Sequence, residues 1–298
     1  MNKPLSKKSK IGIVGAGVLG KVLAAVLSEN DYLVAAVSSR SLSSSEELAH
    51  LVVDVKVCAD PDEVSSFSDV VFVTTPDDLI KQVVSSVDWK KTHTVIHCSG
   101  ALSLDVLSSA STKGARVGAF HPMQAFAAVK NGIKSIPGTT FGIEGDEVIQ
   151  QYLADTARAI GGYPIFLRAE DKVLYHLSGV MLGGILSGVG ATAAQLWEHL
   201  GMERTDGLRA LMPIMRQVSI NLSSQGIPEG IAGPYARGDV GTIRKHLQVL
   251  AARAPDVLPL YCNMALSSLP FALEKGTLTE ERASEIYNLL EESLGSTR

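Results

Sequence analysis

Three glycines near the N-terminus are spaced to bind the diphosphate of a dinucleotide. Residues 11–20 read Ile-Gly-Ile-Val-Gly-Ala-Gly-Val-Leu-Gly, an apolar strand that runs into Gly-x-Gly-x-x-Gly and then into a helix-forming segment. In this motif the first glycine permits a tight turn, the second lets the backbone approach the phosphates, and the third lets the helix pack on the strand. Because helix N-terminal amides attract anions, we expect the pyrophosphate to contact Gly15, Ala16, Gly17, Val18, Leu19 and Gly20.

The residues after the second predicted strand favour NADP over NAD. Proteins that bind NAD usually carry an Asp or Glu roughly 20 residues after the glycines, where it binds the ribose hydroxyls. This chain has Ser38, Ser39 and Arg40 at that place. No carboxylate repels a 2′-phosphate there, and Arg40 can donate charge-assisted hydrogen bonds to one. The alternative is that these residues form an ordinary solvated loop.

Other strands of the predicted sheet also end in small or polar residues. Ligands of open α/β sheets bind outside the carboxyl ends of the strands. We therefore expect Thr74, Thr75 and Pro76 to contact the cofactor, and Ser99 to contact the substrate. A serine after a strand also commonly caps a turn, and that alternative stays open for Ser99.

Three of the seven histidines stand where a proton donor for hydride transfer is needed. A nicotinamide supplies hydride, while the protein must orient the substrate and deliver a proton. Histidine suits this role because its pKa lies near neutrality. The candidate catalytic residues are His121 after a sheet strand, His176 at the predicted domain junction, and His246 on a polar helix face. For each, the alternative is an ordinary core or surface histidine.

A polar cluster in the C-terminal half precedes a predicted helix. Asp239 is well placed as its N-cap, and Thr242 and His246, four residues apart, share one helix face. Arg237 adds a positive charge that can bind a carboxylate or phosphate of a substrate. A satisfied hydrogen-bond network between the domains explains the same cluster equally well. No histidine or cysteine spacing indicates a metal site.

Hydrophobic patterning predicts an α/β fold with two domains. Short apolar runs alternate with amphipathic segments as far as residue 168, which is typical of a doubly wound Rossmann sheet. Helical patterns follow. We expect a dinucleotide-binding domain over residues 1–168 and an all-α substrate and dimerisation domain over residues 169–298.

Residues 173–197 contain no Asp, Glu, Lys or Arg. By length the segment could cross a bilayer, but its polar side chains and the surrounding α/β pattern argue against a membrane protein. A helix that is apolar on all sides is otherwise a central, buried helix. Its glycines permit close approach of another helix or subunit, so we expect a homodimer.

Composition and net charge bear on whether the protein binds nucleic acid or a small molecule. The chain has 298 residues, of which 46% are hydrophobic, and a net charge of −4, so it can bury a large core and offers no general attraction for nucleic acid. Its three cysteines are odd in number and lack Cys-x-x-Cys spacing. We therefore expect a reduced, cytoplasmic protein whose partner is a small-molecule substrate.

Three segments carry a resemblance to a known family: residues 120–126, which read Phe-His-Pro-Met-Gln-Ala-Phe, residues 174–176, and residues 233–247. The chain resembles Rossmann-like proteins with a C-terminal domain of unknown function 2520. These are similar in design to pyrroline-carboxylate, ketopantoate and deazaflavin-dependent NADP reductases. The resemblance implies a helical domain like that of 6-phosphogluconate dehydrogenase, a nicotinamide cofactor and a cleft between the domains. It implies no substrate.

These observations predict an NADP-dependent oxidoreductase that acts on a small, anionic 2-oxo acid or imine bound between the domains. The alternative is a non-catalytic NADP-binding sensor or regulatory module. A nucleotide sugar or another ligand without nicotinamide also suits the fold, because fold does not fix function.

Overall fold

The computed structural model describes residues 4–295. The chain divides into two compact units, Met1–Gly184 and Ile185–Arg298. This division falls later than the boundary expected at residues 168 and 169. The reason is local: Lys172 and Tyr175, which follow the expected boundary, bond to Glu144 and His121 of the sheet, so their helix belongs to the first unit.

The first unit contains one eight-stranded sheet, which confirms the α/β class. Its strand order is β3-β2-β1-β4-β5-β6-β7-β8. The strands are β1 Ile11–Val14, β2 Val34–Ser38, β3 Lys56–Val57, β4 Val70–Val73, β5 Thr94–His97, β6 Arg116–Pro122, β7 Thr140–Gly145 and β8 Tyr163–Phe166. One correction concerns direction. The pairing of β6 with β7 is antiparallel, so the sheet is only mostly parallel, a common arrangement at the edge of α/β sheets.

Apolar cores cover both faces of this sheet. Side chains alternate along a strand, so Val70 and Phe72 of β4 enter one core while Val71 and Val73 enter the other. This two-sided burial explains why the central strands are apolar at every position rather than at every second one.

The helices of the first unit lie between the strands along the chain, except for α8, which follows β8. They are α1 Val18–Glu29, α2 Leu42–Ala49, α3 Pro61–Ser66, α4 Asp77–Ser85, α5 Ser108–Ser111, α6 Val129–Ser135, α7 Glu147–Ala159 and α8 Lys172–Val180. A 3₁₀ turn, Leu104–Leu107, precedes α5. Helix α6 is short and contains Gly132.

The second unit is helical. Its helices are α9 Leu186–Gln195, α10 Arg204–Gln225, α11 Val240–Arg253, α12 Leu258–Glu274 and α13 Glu280–Gly295. Ile243, Cys262, Ile286 and Leu290 are fully buried in its core. The last four helices fall on the segments whose pattern predicts helices, residues 206–223, 240–254, 255–275 and 279–293, and Pro213 lies inside α10.

The expectation of a fully buried apolar helix is wrong for the single chain. A helix over Ala169–Leu200 has a mean hydropathy of 1.5 in its most apolar window, but only 11% of that window is buried. Leu174 and Leu182 are 71% and 75% exposed. Within residues 4–295 this is the one helix long and apolar enough to cross a membrane, which is weak evidence for a span.

Candidate active site

The turn between β1 and α1 has the geometry that the glycine motif predicts. Gly15 has a φ of +106°, which favours glycine, and a Cβ there would lie 2.9 Å from the backbone of Thr74 and Thr75. A Cβ on Gly20 would collide with the Gly15 carbonyl oxygen, whereas one on Gly17 would meet no atom within 4 Å. Gly15 and Gly20 therefore keep the turn compact, and Gly17 leaves open space for a ligand.

A hydrogen bond fixes this turn to the neighbouring strand. The Thr74 hydroxyl donates to the Gly15 carbonyl oxygen at 2.6 Å. Gly17 is the N-cap of α1 but has no side chain to bond the first amides of the helix, and no acidic residue lies in the first turn. Those amides, with the positive end of the helix dipole, are available to an anion.

A cavity of about 620 Å³ opens beside the turn, where the strand order reverses between β1 and β4. It gathers most of the residues assigned to the cofactor: Gly15, Ala16, Gly17, Ser38, Ser39, Arg40, Thr74, Thr75 and Pro76. Val18, Leu19 and Gly20 do not line it, because they form the first turn of α1.

Two polar atoms of this cavity fit a bound polar ligand. The hydroxyls of Ser38 and Thr75 are buried, and neither has a hydrogen-bond partner among the described residues. Buried hydroxyls without a partner are costly, and both side chains line the cavity. The cradle of glycines and these two hydroxyls suit a dinucleotide, with its pyrophosphate at α1.

Arg40 lies exposed at the edge of the same cavity. Asp60 also lines the cavity, but its carboxylate accepts a hydrogen bond from the Glu63 amide and caps α3. Ser41 likewise caps α2. Arg40 follows β2, the strand after which Rossmann folds usually contact the ribose of a dinucleotide.

Two of the three candidate histidines lie together at the carboxyl edge of the sheet. The rings of His121 in β6 and His176 in α8 are 5.7 Å apart between centroids. A Cβ on Gly100 would lie 2.7 Å from both rings, so the backbone after β5 packs directly against the pair. Because β4, β5 and β6 are neighbours, the pair is two strand spacings, roughly 10 Å, from the end of β4 in the dinucleotide cavity.

Tyr175 holds His121 in place. Its hydroxyl lies 3.1 Å from His121 Nδ1 and 3.2 Å from the His121 carbonyl oxygen. Burial raises the pKa of Tyr175 to about 12, so its hydroxyl stays protonated at neutral pH. Burial, reinforced by the charges of His176 and Lys172, lowers the pKa of His121 to about 4. His121 is therefore neutral near pH 7, with its ring oriented by Tyr175.

An ion pair lies beneath the histidines. Lys172 Nζ is 3.1 Å from Glu144 Oε2, and the two side chains are 2% and 13% exposed. Burial lowers the pKa of Lys172, while the charge of Glu144 opposes that shift. The Lys172 charge also helps to lower the pKa of His97, which burial brings to about 3.

Ser99 is not available to a ligand in the way that its position indicated. Its hydroxyl donates to Asp77 Oδ2 at 2.6 Å and accepts from the amides of Ala101 and Leu102. The Ser99 side chain thus caps the turn after β5, which is the alternative that the sequence analysis left open for this residue.

A second cavity, of about 500 Å³, adjoins the histidine pair. His121, Met123, Gln124, His176 and Leu182 are among the residues that line it. Gly179 faces Met123 so closely that a side chain at position 179 would displace the methionine. The cavity is large enough for a small organic substrate, and the two imidazoles are its ionisable groups among the described lining residues.

The structure separates the polar residues of the second unit into two groups. Asp239 caps α11: its carboxylate accepts from the Thr242 amide at 3.0 Å and from the Thr242 hydroxyl at 2.7 Å. Arg237 is exposed. His246 instead bonds Tyr261, with 2.8 Å between His246 Nδ1 and the phenol oxygen. Asp239 and Thr242 therefore satisfy each other, as the capping interpretation expects.

Comparison with known proteins assigns both parts of the chain. Residues 4–122 match the model of a Rossmann-like domain, and residues 139–268 match the model of a domain of unknown function, DUF2520. The chain joins a Rossmann-like domain to a DUF2520 domain. No curated protein sequence matches it.

Solved structures share this fold over most of the chain. A protein of Thermotoga maritima is 22% identical, with a TM-score of 0.70, and the match covers 90% of this chain and 100% of that one. The pyrroline carboxylate reductase of Plasmodium falciparum with NADP bound is 12% identical, with a TM-score of 0.62, and the match covers 92% of this chain and 98% of that one. A reductive aminase of Aspergillus terreus in complex with NADPH and ethyl-5-oxohexanoate is 17% identical, with a TM-score of 0.55, and the match covers 97% of this chain and 94% of that one.

Sequence reasoning missed three residues around the histidine pair: Tyr175, Lys172 and Glu144. Lys172 is the last charged residue before the uncharged segment 173–197 of the DUF2520 domain. A single charge at the start of such an apolar helix indicates a buried group that needs an oppositely charged partner. Glu144 interrupts the apolar run of β7 in the same way. Their pairing depends on how α8 packs on the sheet, which no local pattern encodes.

Replacing Arg40 tests the position of the cofactor's 2′-phosphate. If Arg40 binds that phosphate, Arg40→Ala removes a charge-assisted hydrogen bond, so we expect NADPH binding to weaken about tenfold and NADH binding to change little. Fluorescence titration of both nucleotides measures this difference. Arg158→Ala, an exposed arginine in α7 away from the cavity, is the control. Equal losses for the two nucleotides would remove Arg40 from the phosphate site.

The titration of His121 tests the burial of the histidine pair. The pKa of His121 is about 4 in the folded protein, against an ordinary value of 6.5. Between these two pH values the unfolded chain therefore binds a proton at His121 that the folded protein does not. Stability is therefore lost from about pH 6.5 down to about pH 4, by about 3 kcal/mol from this group. NMR titration of the imidazole nitrogens should show a neutral ring at pH 5.5. Protonation near pH 6.5 would contradict the buried geometry.

Proposed function

We propose that the protein is an NADP-dependent reductase that acts on a small carbonyl or imine compound. The observation that carries this proposal is the placement of His121 and His176, packed on Gly100, two strands from the dinucleotide cavity. A site that only stores a nucleotide has no need for two imidazoles at the nicotinamide end. The structural neighbours that bind NADP or NADPH on the same fold support this proposal.

In this proposal the two imidazoles have different roles. Bound NADPH supplies the hydride. His121 is kept neutral by burial. When the Tyr175 hydroxyl donates to His121 Nδ1 rather than to the His121 carbonyl oxygen, the ring carries its proton on Nε2 and donates a hydrogen bond from there to the substrate oxygen or nitrogen. His176 is half-buried and lines the adjoining cavity, so it can pass a proton between that cavity and the product.

The proposed substrate class follows from the cavity beside the pair. Its walls are mostly apolar and contain Met123 and Leu182, with Gln124 as a neutral polar group. A 2-oxo acid or cyclic imine of a few carbons fits about 500 Å³. The sequence analysis expects Arg237 to bind an anionic group of the substrate. Comparing the turnover of matched substrates with and without a carboxylate tests whether the substrate must be an anion.

Turnover assays with the two histidine variants test this function. We expect NADPH oxidation with at least one 2-oxo acid or imine, and a loss of roughly 10²–10⁴-fold in kcat for His121→Gln or His176→Gln, because proton delivery or polarisation is removed. The dissociation constant for NADPH should stay the same in both variants.

His50→Gln serves as the control, since His50 is exposed and lines neither the dinucleotide cavity nor the cavity beside the histidine pair. Tight NADPH binding without turnover of any carbonyl or imine substrate would favour the sensor or regulatory module instead. Wild-type rates in both histidine variants would remove the pair from the chemistry.

We also propose that a second copy of the chain covers the exposed apolar helix. Its exposed side chains include Val173, Leu174, Leu177, Met181 and Ile185, each about half exposed or more. Contiguous apolar surface of this kind is uncommon on monomers. A Cβ at Gly184 or Gly188 would meet no atom within 4 Å, so a second backbone can approach there.

Light scattering on a sizing column tests the dimer. The wild-type protein should elute as a dimer, and Leu174→Glu should shift it towards the monomer because a charge is buried without a partner. Val53→Glu makes the same change at a residue that is 79% exposed in the first unit and should leave the dimer intact. A wild-type monomer at micromolar concentration would refute the proposal.

A further inference from the structure

The second unit contains a cavity of about 530 Å³ that the proposed reductase chemistry does not use. It lies among the 3₁₀ turn Leu196–Leu200 and helices α10, α11 and α12. Trp197, Leu211, Val249 and Val257 are among the apolar residues that form its walls. We call it the helical-unit cavity.

The charged side chains that line this cavity are all basic. Lys245 and Arg253 contribute two positive charges, and none of the residues that line the cavity is an Asp or Glu. Arg253 is held by a hydrogen bond to the carbonyl oxygen of His199. Lys245 is exposed on α11, beside His246. The cavity thus combines apolar walls with a positive rim, which is complementary to an apolar molecule that carries a negative charge.

A tyrosine pair orients the imidazole of His246 at this rim. The rings of Tyr235 and Tyr261 are 6.0 Å apart between centroids, and burial raises the pKa of both phenols, so both stay protonated. Tyr261 can therefore donate its proton to His246 Nδ1, 2.8 Å away. In that arrangement the neutral imidazole carries its proton on Nε2, where it can be donated to a ligand.

We propose that the helical-unit cavity binds a small apolar carboxylic acid. The hydrocarbon part lies against Trp197 and Leu211, and the carboxylate accepts from Lys245 and from His246 Nε2. Apolar walls with a few placed polar groups are the usual composition of small-molecule sites. A ligand with a large polar body is disfavoured, because those walls would leave its polar groups without partners.

Binding of decanoate to the full-length protein tests this site. Trp197 lines the cavity, whereas Trp89 is 3% exposed in the first unit, so saturable quenching of tryptophan emission should be lost in Trp197→Phe. Calorimetry measures the same binding without a fluorophore. Decanoate should bind about tenfold more tightly than 1-decanol, which has the same chain without the charge.

Two variants separate the charge from the walls. Lys245→Met should weaken decanoate about tenfold and leave 1-decanol unchanged, while Ala193→Phe, which fills the cavity, should weaken both ligands. Lys81→Met, an exposed lysine in α4 of the first unit, should change neither. NADPH affinity should stay constant throughout, which distinguishes this site from the reductase site.

The proposal is overturned if decanoate gives no saturable signal by either method. Equal affinities for decanoate and 1-decanol in wild type and Lys245→Met would refute the carboxylate assignment. Dissociation of a dimer by Val249→Glu, together with no decanoate binding to the wild-type protein, would mean that a second copy of the chain occupies the cavity.

Discussion

The buried ion pair between Lys172 and Glu144 sets the position of the first turns of the long helix. Two charges removed from water are tolerated only when they meet, and breaking such a pair typically costs about 3–5 kcal/mol. With Lys172 held at β7, Tyr175 reaches the backbone and ring of His121, one helical turn later. His176 then lies beside His121. The ion pair and the bonds of Tyr175 to His121 thus hold α8 on the sheet at the candidate active site.

The dinucleotide turn shows what a sequence can encode locally. Its glycines, the strand before them and the helix after them are adjacent in the chain, so their types predict the turn directly. The same holds for the alternation of strands and helices in the first unit and for Asp239, whose capping role depends only on the next three residues. Thr74 is a partial exception: its position after β4 was predicted, but its bond to Gly15 requires β1 and β4 to be neighbours.

Features that depend on packing between distant segments could not be predicted in this way. Lys172 and Glu144 are far apart in sequence, and the residues next to each give no indication that the two side chains pair. The long apolar helix is a second example of this limit. Its hydrophobicity predicts that the helix is shielded from water, because exposing apolar side chains costs free energy. Hydrophobicity does not identify the surface that shields it. In the single chain it is largely exposed, so the cover must come from outside the chain or be absent.

The electrostatics of the histidine pair restrict the chemistry that it can perform. A general acid needs a pKa near the working pH, and a His121 with a pKa of about 4 is far from it. Its neutral ring is better suited to polarise a substrate atom through a fixed hydrogen bond. The charge of Lys172 contributes to this low pKa, and the paired Glu144 carboxylate offsets part of that charge. Loss of Glu144 would leave His121 near an uncompensated positive charge. Glu144 therefore acts on the electrostatics of His121 without lining the cavity beside the imidazoles.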